Sequence, residues 1–233
     1  MRKAPNYTFR KKKNTEFFWL SLNISFQKNN DNTYSIFEWN DKRKIIEKDI
    51  EFKNIADNTV IKIFIDEIKG WFLDPLVKLY PKREDITDWN PHPNEMIVLS
   101  ICMMYPETIQ QYIDWKKSNN ASKDIFCKGF KILQNNVDEK LVEDFYKWVR
   151  CWLFHMASLN NNRYIRYDYS RQKQIPWIII AKDWASKIIY LHNFIDAIIK
   201  HFNLYIEQIQ QKKSMRESFL KIYKKEDLKK YFN

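Results

Sequence analysis

The longest regular hydrophobic pattern in this 233-residue chain lies towards its C-terminal end. Apolar residues recur there at alternating steps of three and four, which places them on one face of a helix. The pattern predicts a long amphipathic helix over residues 183–211, with Asp183 as its N-cap. Packing within a helical bundle explains such a face, and a coiled coil with another chain is the alternative. The residues of this face are Ile188, Leu191, Ile195, Ile198, Phe202, Tyr205 and Ile209.

Five further stretches carry helical periodicity or helix-boundary signals, so we expect a mostly α protein. Pro75 is expected to end or kink the first of them, and Pro106 to begin the third. The last of them carries the residues singled out below. The predicted helices span residues 59–73, 94–105, 106–117, 123–134 and 138–156.

Strict alternation of apolar and polar residues marks the N-terminal region instead. It begins at residue 17, and a turn-forming run at 29–32 separates it from a second strand-like stretch, which predicts a small β-hairpin over 17–39. Residues 163–171 alternate again and predict a short strand or hairpin. We therefore expect an N-terminal extension (1–57), a helical domain (58–211) and a basic helical tail (212–233).

Only two glycines, Gly70 and Gly129, occur in the chain. Loops that bind phosphate through backbone N–H groups need several glycines close together, which excludes the common nucleotide-binding loops. The three cysteines do not show zinc-ligand spacing, which fits a reduced, cytoplasmic setting. Cys151 and His155 supply only two possible ligands, so we expect no metal site, and we expect no cofactor. No apolar stretch is long enough to predict a membrane span.

The formal net charge of +11 favours a polyanionic partner, nucleic acid first. A chain rich in Lys, Asn and Ile also gains positive charge from composition alone, without any functional reason. Charge therefore leaves both interpretations open.

Residues 148–155 contain an arginine, four intervening residues and a histidine near the end of a predicted helix. This Arg150–His155 pattern resembles the signature of the HEPN superfamily, and the resemblance covers residues 58–211. It implies a small helical bundle, usually dimeric, and in many members a metal-independent ribonuclease that acts as a toxin or antiviral effector. Cys151 stands where the family commonly has a polar residue and would adjoin the other two in the site.

The residue types suit RNA cleavage that begins with attack of the 2′-OH on the adjacent phosphorus. His155 can act as general acid or base near neutral pH, and Arg150 can clamp the phosphate with a bidentate fork. The alternatives are structural: a partly buried His155 that caps carbonyl groups, and an ion pair between Arg150 and Glu143.

Helix geometry adds an argument for a dimer. At about 100° per residue, Phe145, Val149, Trp152 and Met156 form one apolar face, and Arg150 lies about 140° from His155. Phe154 points away from the core between those two. A two-fold pairing of this helix would bury Phe154 and bring two arginines and two histidines together.

Cations and aromatics alternate just after the motif and predict an RNA-contacting strand, since bases stack on aromatic faces. A half-buried hairpin explains the same residues. A catalytically inactive RNA-binding or regulatory module is the alternative function, and an antitoxin or regulatory protein is a further expected partner. The predicted RNA contacts are Arg163, Tyr164, Arg166, Tyr167 and Arg171.

Overall fold

The structure is a computed structural model and describes residues 17–29, 31, 33–39, 42–80, 94–114, 121–135, 137–156, 163–166, 178–180 and 187–229. Helices dominate, with a small antiparallel sheet near the N-terminus, as the sequence predicts. The chain divides into two compact units. One comprises Met1–Trp71 with Lys224–Asn233, and the other comprises Phe72–Tyr223. The boundaries expected after residues 57 and 211 differ from this division.

The first unit contains a four-stranded antiparallel sheet with its strands in chain order. The expected hairpin is present as β2 and β3. Its predicted first strand, which begins at residue 17, is however divided into β1 and β2, because the chain turns back at residues 20–23. The N–H of Leu20 donates there to the carbonyl of Ile24. The fourth strand lacks apolar alternation, which is why the sequence did not reveal it. The strands are β1 (Phe17–Trp19), β2 (Ile24–Lys28), β3 (Tyr34–Trp39) and β4 (Arg43–Ile50).

Helix α1 (Asp57–Ile68) covers one face of this sheet. Ile24, Phe26 and Ile36 point to this face and are almost fully buried. Lys62 of α1 pairs at 2.7 Å with Glu38, whose side chain projects from the same face. Hydrophobic burial, the largest favourable contribution to folding, therefore joins helix and sheet into one core.

Asp66 of α1 also fixes the turn between β1 and β2. Its carboxylate accepts hydrogen bonds from the Ser21 hydroxyl and from the backbone N–H of Asn23, the latter at 2.8 Å. Lys224 donates to the carbonyl of Ile55 at 2.9 Å, which ties the C-terminal segment to the start of α1. Residues from the N-terminal and the C-terminal parts of the chain therefore both contact α1 or its start in this unit.

The second unit is built from seven helices and a three-stranded sheet within its described residues. Strands β5 (Arg163–Arg166), β6 (Ile178–Ile180) and β7 (Lys187–Tyr190) lie in the order β5–β7–β6, with β5 parallel and β6 antiparallel to β7. The helices are α2 (Asp74–Leu79), α3 (Glu95–Asp114), α4 (Ser122–Leu133), α5 (Glu139–Phe145), α6 (Trp152–Met156), α7 (Leu191–Gln211) and α8 (Lys213–Ile222).

Three helix boundaries differ from those predicted. Helix α7 begins at Leu191, because residues 187–190 pair as β7, so Ile188 belongs to a strand; Asp183 lies outside the described residues. Pro106 does not begin a helix but lies inside α3. Pro75 lies in the first turn of α2, after a π turn over Lys69–Leu73 that follows α1. The buried face of α7 is otherwise as predicted, from Leu191 to Ile209.

Helices α3 and α4 cross at very short range. A Cβ atom on Gly129 would meet the carbonyl oxygen of Pro106 and lie 2.7 Å from its carbonyl carbon. Backbone cannot move aside as a flexible side chain can, so glycine is required here for space. This crossing fixes α4 against the middle of α3.

We predict that Gly129→Ala destabilises the protein by about 1–3 kcal/mol, since the added methyl group forces the two backbones apart. The sign of the stability change tests the crossing, because a change from glycine to alanine inside an uncrowded helix stabilises a protein by roughly 0.5–1 kcal/mol. Urea denaturation measures the change; Lys128→Ala, which removes one exposed ion pair to Asp114 of α3 but no backbone contact, is the control and should cost at most about 1 kcal/mol. A more stable Gly129→Ala protein would contradict the close crossing.

Candidate functional site

The three predicted site residues lie on one helical segment formed by α5, a π turn over Tyr146–Cys151 and α6. Asp138 begins it as N-cap, and its carboxylate accepts a hydrogen bond from the N–H of Leu141 at 3.1 Å. Capping of this kind satisfies an otherwise unpaired donor at the helix start. The segment matches the helix predicted over 138–156.

The buried stripe of this segment consists of Val142, Phe145, Val149 and Leu153. Phe145 and Val149 are as expected; the side chains of Trp152 and Met156 lie outside the described part of the chain. The π turn, closed by bonds between residues five apart, is wider than an α turn. The angle of about 140° between Arg150 and His155 assumed a uniform α-helix. It does not carry over to a segment in which Arg150 lies within the π turn.

Arg150 is held by one carboxylate and two aromatic rings. Its Nη2 donates to Oε2 of Glu107 on α3 at 3.0 Å. Its Cζ lies 5.4 Å from the ring centre of Tyr146 and 5.4 Å from that of Phe154. The guanidinium is therefore oriented by an ion pair and by two cation–π contacts.

The alternative prediction, an ion pair between Arg150 and Glu143, is wrong. Glu143 pairs with Lys123 at 3.0 Å, and Glu107 takes its place at Arg150. The Arg150 side chain remains 26% exposed and that of Glu107 14% exposed. Because the pair is partly screened from water, it constrains the guanidinium more than a fully exposed pair could.

Burial raises the pKa of the Tyr146 phenol, an effect that the charge of Arg150 partly opposes. The ring facing the guanidinium is therefore neutral at physiological pH. A neutral phenol presents the negative face of its ring to a cation.

His155 and Phe154 both project outwards from α6. His155 is exposed and makes no hydrogen bond to another described residue, so the expectation of a partly buried, capping histidine is wrong. Phe154 is 45% exposed, as its predicted direction away from the core requires. Cys151, which follows Arg150 in the chain and precedes Phe154 and His155, is a half-buried free thiol. An exposed imidazole and a partly exposed guanidinium thus share one segment.

The predicted RNA contacts lie mainly beyond what the structure describes. Arg163, Tyr164 and Arg166 belong to β5, whose backbone pairs with β7, but their side chains are outside the described set. Tyr167 and Arg171 lie outside the described residues altogether. The expected short strand is present, and its RNA contact stays a prediction.

The described residues offer neither a metal site nor a membrane-spanning helix. No group of three or more His, Cys, Asp or Glu side chains among them is placed to hold a metal ion. Within the same residues, no helix has the length and apolar character needed to cross a bilayer.

A second ionisable cluster, which the sequence did not reveal, lies between α3 and α7. The hydroxyl of Tyr105 and Nδ1 of His201 share a hydrogen bond of 2.9 Å, and the ring of Tyr205 stacks on His201 at 6.5 Å between centres. Burial lowers the pKa of His201 and raises that of Tyr105. The spacing of His201 and Tyr205 indicates a shared helix face, but no sequence signal points to Tyr105.

Comparison of the chain with known protein families, curated proteins and solved structures finds no match.

We predict that His201 makes the protein less stable in acid. Its folded-state pKa lies below the unfolded value of about 6.5, so the unfolded chain binds the proton more readily. Stability is therefore full above that pH and falls as the pH drops below it. Urea denaturation at pH 7.5 and 5.0 should show a smaller loss for His201→Gln than for the wild type. Equal losses in both proteins would exclude His201 as the cause.

Proposed function

We propose that this protein is a cytoplasmic, metal-independent endoribonuclease of the toxin or phage-defence kind. The observation that carries the proposal is the pairing on one helical segment of an exposed His155 with an Arg150 oriented by Glu107 and two rings. General acid–base catalysis needs an accessible histidine, and charge stabilisation needs a preorganised cation. Cys151, which follows Arg150 in the chain, is the third proposed residue of this site.

His155 acts on the protons of the reaction. As a neutral imidazole it accepts the proton of the ribose 2′-OH while that oxygen attacks phosphorus. The bond from phosphorus to the 5′-oxygen then breaks, and this leaving oxygen takes up a proton from a second imidazolium or from water. The products are a 2′,3′-cyclic phosphate and a 5′-hydroxyl, and DNA, which lacks the 2′-OH, is not cut.

Arg150 stabilises the charge that develops on the phosphate. A guanidinium has five N–H donors, and the bond from Nη2 to Glu107 leaves the others to bind phosphate oxygens. Glu107 is then a positioning residue, because it fixes the plane of the fork before RNA arrives. Preorganised donors of this kind lower the barrier without a cost of reorientation during the reaction.

The active unit is proposed to be a homodimer formed through the segment that carries Arg150, Phe154 and His155. Phe154 is 45% exposed beside the two polar residues, and a two-fold contact there would bury it twice. The second His155 would supply the acid for the leaving oxygen.

Measurement of the mass in solution tests the homodimer. Phe154→Ser should shift a dimer towards monomer, and a wild type that is monomeric at all concentrations would exclude the composite site.

Two observations favour a second candidate, an inactive RNA-binding or regulatory module. The charge of Arg150 is already balanced by Glu107, and Cys151 replaces the polar residue usual in HEPN proteins. An antitoxin or regulatory partner is compatible with either candidate and is part of the proposal.

We predict that purified wild-type protein cleaves labelled total RNA in EDTA and leaves cyclic-phosphate ends. His155→Ala and Arg150→Ala should each lower the rate at least about 100-fold, the usual range for a lost acid–base group or oxyanion donor. Lys147→Ala, which removes an exposed cation from the same segment, is the matched control and should cut at the wild-type rate.

The same assay separates the two candidates. Equal cleavage by all four proteins would exclude the site, since the activity would then arise elsewhere. A wild type that binds RNA without cutting it would replace the nuclease with the inactive module.

A further inference from the structure

The contact between α3 and α7 includes one hydrogen bond with a titratable partner. The Tyr105 hydroxyl and Nδ1 of His201 lie 2.9 Å apart, and Tyr105 is 2% exposed. Burial raises the pKa of the Tyr105 phenol and lowers that of the His201 imidazole, so both are neutral at pH 7.5. The phenol therefore donates and Nδ1 accepts. In the reverse arrangement, the buried hydroxyl hydrogen would find no acceptor among the described residues.

Protonation of His201 removes that acceptor. Nδ1 then carries a hydrogen of its own, so two donors face each other across the contact. The phenol has to turn its hydrogen away, and within the described part of the chain no other group is placed to accept it. A buried donor without an acceptor is costly. Acid therefore weakens the polar contact between the two helices.

No opposite charge compensates a protonated His201. On α3 the group that faces it is Tyr105, and on α7 itself the ring centre of Tyr205 lies 6.5 Å away. Among the described residues, no carboxylate or cation of α4, α8 or β7 acts on the imidazole, and burial is the one cause of its lowered pKa. A partly buried charge without a carboxylate partner favours a conformation in which water reaches it.

Helix α3 has a weak point directly after Tyr105. Pro106 lies inside the helix and has no backbone N–H, so one hydrogen bond of the helical ladder is missing there. Helices bend most sharply at such a residue. Beyond it, the hydroxyl of Tyr205 donates to the carbonyl of Tyr112 at 3.4 Å, a contact without a histidine. The part of α3 before Pro106 can therefore leave α7 while the part beyond it stays in place.

We propose that the Tyr105–His201 pair is an acid-sensitive latch, in which protonation of His201 releases the part of α3 before Pro106 from α7 while the remainder of the second unit stays folded. The closed latch binds the proton less readily than the open one, in which water reaches the imidazole. The latch is therefore fully stable above the ordinary histidine pKa of about 6.5 and weakens as the pH falls below it. This opening is local, unlike global unfolding, and does not require that the protein cleave RNA.

Cys102 provides a reporter of the opening. It lies one turn before Tyr105 on α3 and is 0% exposed. In the full chain with Cys127→Ser and Cys151→Ser, 4,4′-dithiodipyridine reaches Cys102 only when the protein opens around it. The labelling rate at pH 7.5 and 5.0 is divided by the rate of the same thiol in the urea-unfolded chain at the same pH. This division removes the pH dependence of the reagent and of the thiol itself.

The corrected labelling rate should rise between about threefold and 30-fold from pH 7.5 to pH 5.0. The upper limit of about 30-fold belongs to an imidazole with a pKa of about 6.5 in the open state and no bound proton in the closed state. His201→Gln and His201→Asn keep an amide oxygen that can accept from Tyr105 but does not titrate, so their rates should change less than about twofold. Two replacements are used because one of them could fail to fold.

Matched controls come from the same pair of helices and from the other described histidines. Tyr205→Phe removes a hydroxyl from the same contact but no group that titrates in this pH range. It should speed labelling by the same factor at both pH values and keep the acid response. His155→Gln and His192→Gln should keep the acid response as well.

Several results would overturn the latch. A wild type whose corrected rate does not change with pH would exclude it, and a full acid response in both His201 variants would place the titrating group elsewhere. Loss of the response in His192→Gln alone would assign it to that histidine. A rate that rises with urea as steeply as global unfolding would show that acid unfolds the whole protein. A response that depends weakly on urea and is lost only without His201 supports the latch.

Discussion

The crossing of α3 and α4 at Gly129 and Pro106 is the constraint on which the candidate site depends. A side chain at Gly129 would collide with the carbonyl group of Pro106, so the two helices share a contact that only glycine permits. The residues on either side of Pro106 belong to different polar clusters. Glu107 reaches Arg150, and Tyr105 reaches His201. Both polar clusters therefore include a residue that adjoins the crossing, and displacing α3 would disturb the two together.

Much of the fold follows from local pattern. The apolar stripe of α7 predicts its buried face from Leu191 onwards, and strand alternation predicts the hairpin of β2 and β3. The failures have physical causes. Ile188 fits a helical stripe equally well, but tertiary pairing with β5 and β6 places it in β7. Proline is favoured in the first turn of a helix, so Pro106 predicts a helix start, yet α3 continues through it. β4 is exposed along most of its length, so no apolar alternation marks it.

The candidate site was predictable only in part. Arg150 and His155 stand five positions apart, and a single sequence segment can reveal both. The partner of Arg150 lies 43 residues earlier on another helix, and no helical spacing links the two, which explains why Glu143 was expected in its place. The π turn likewise has no reliable sequence signal, although such turns are frequent at functional sites. Tertiary structure, rather than local pattern, therefore supplies the orientation of the guanidinium.

The central claim is that this site cleaves RNA through attack of the 2′-OH. The most direct measurement uses a synthetic RNA that spans a mapped cleavage site and carries a single 2′-deoxynucleotide on the 5′ side of the scissile phosphate. We predict that cutting at that bond stops, while the affinity for the substrate and cutting at other bonds stay unchanged. Cleavage of the modified bond at the original rate would contradict the mechanism and, with it, the roles given to Arg150 and His155.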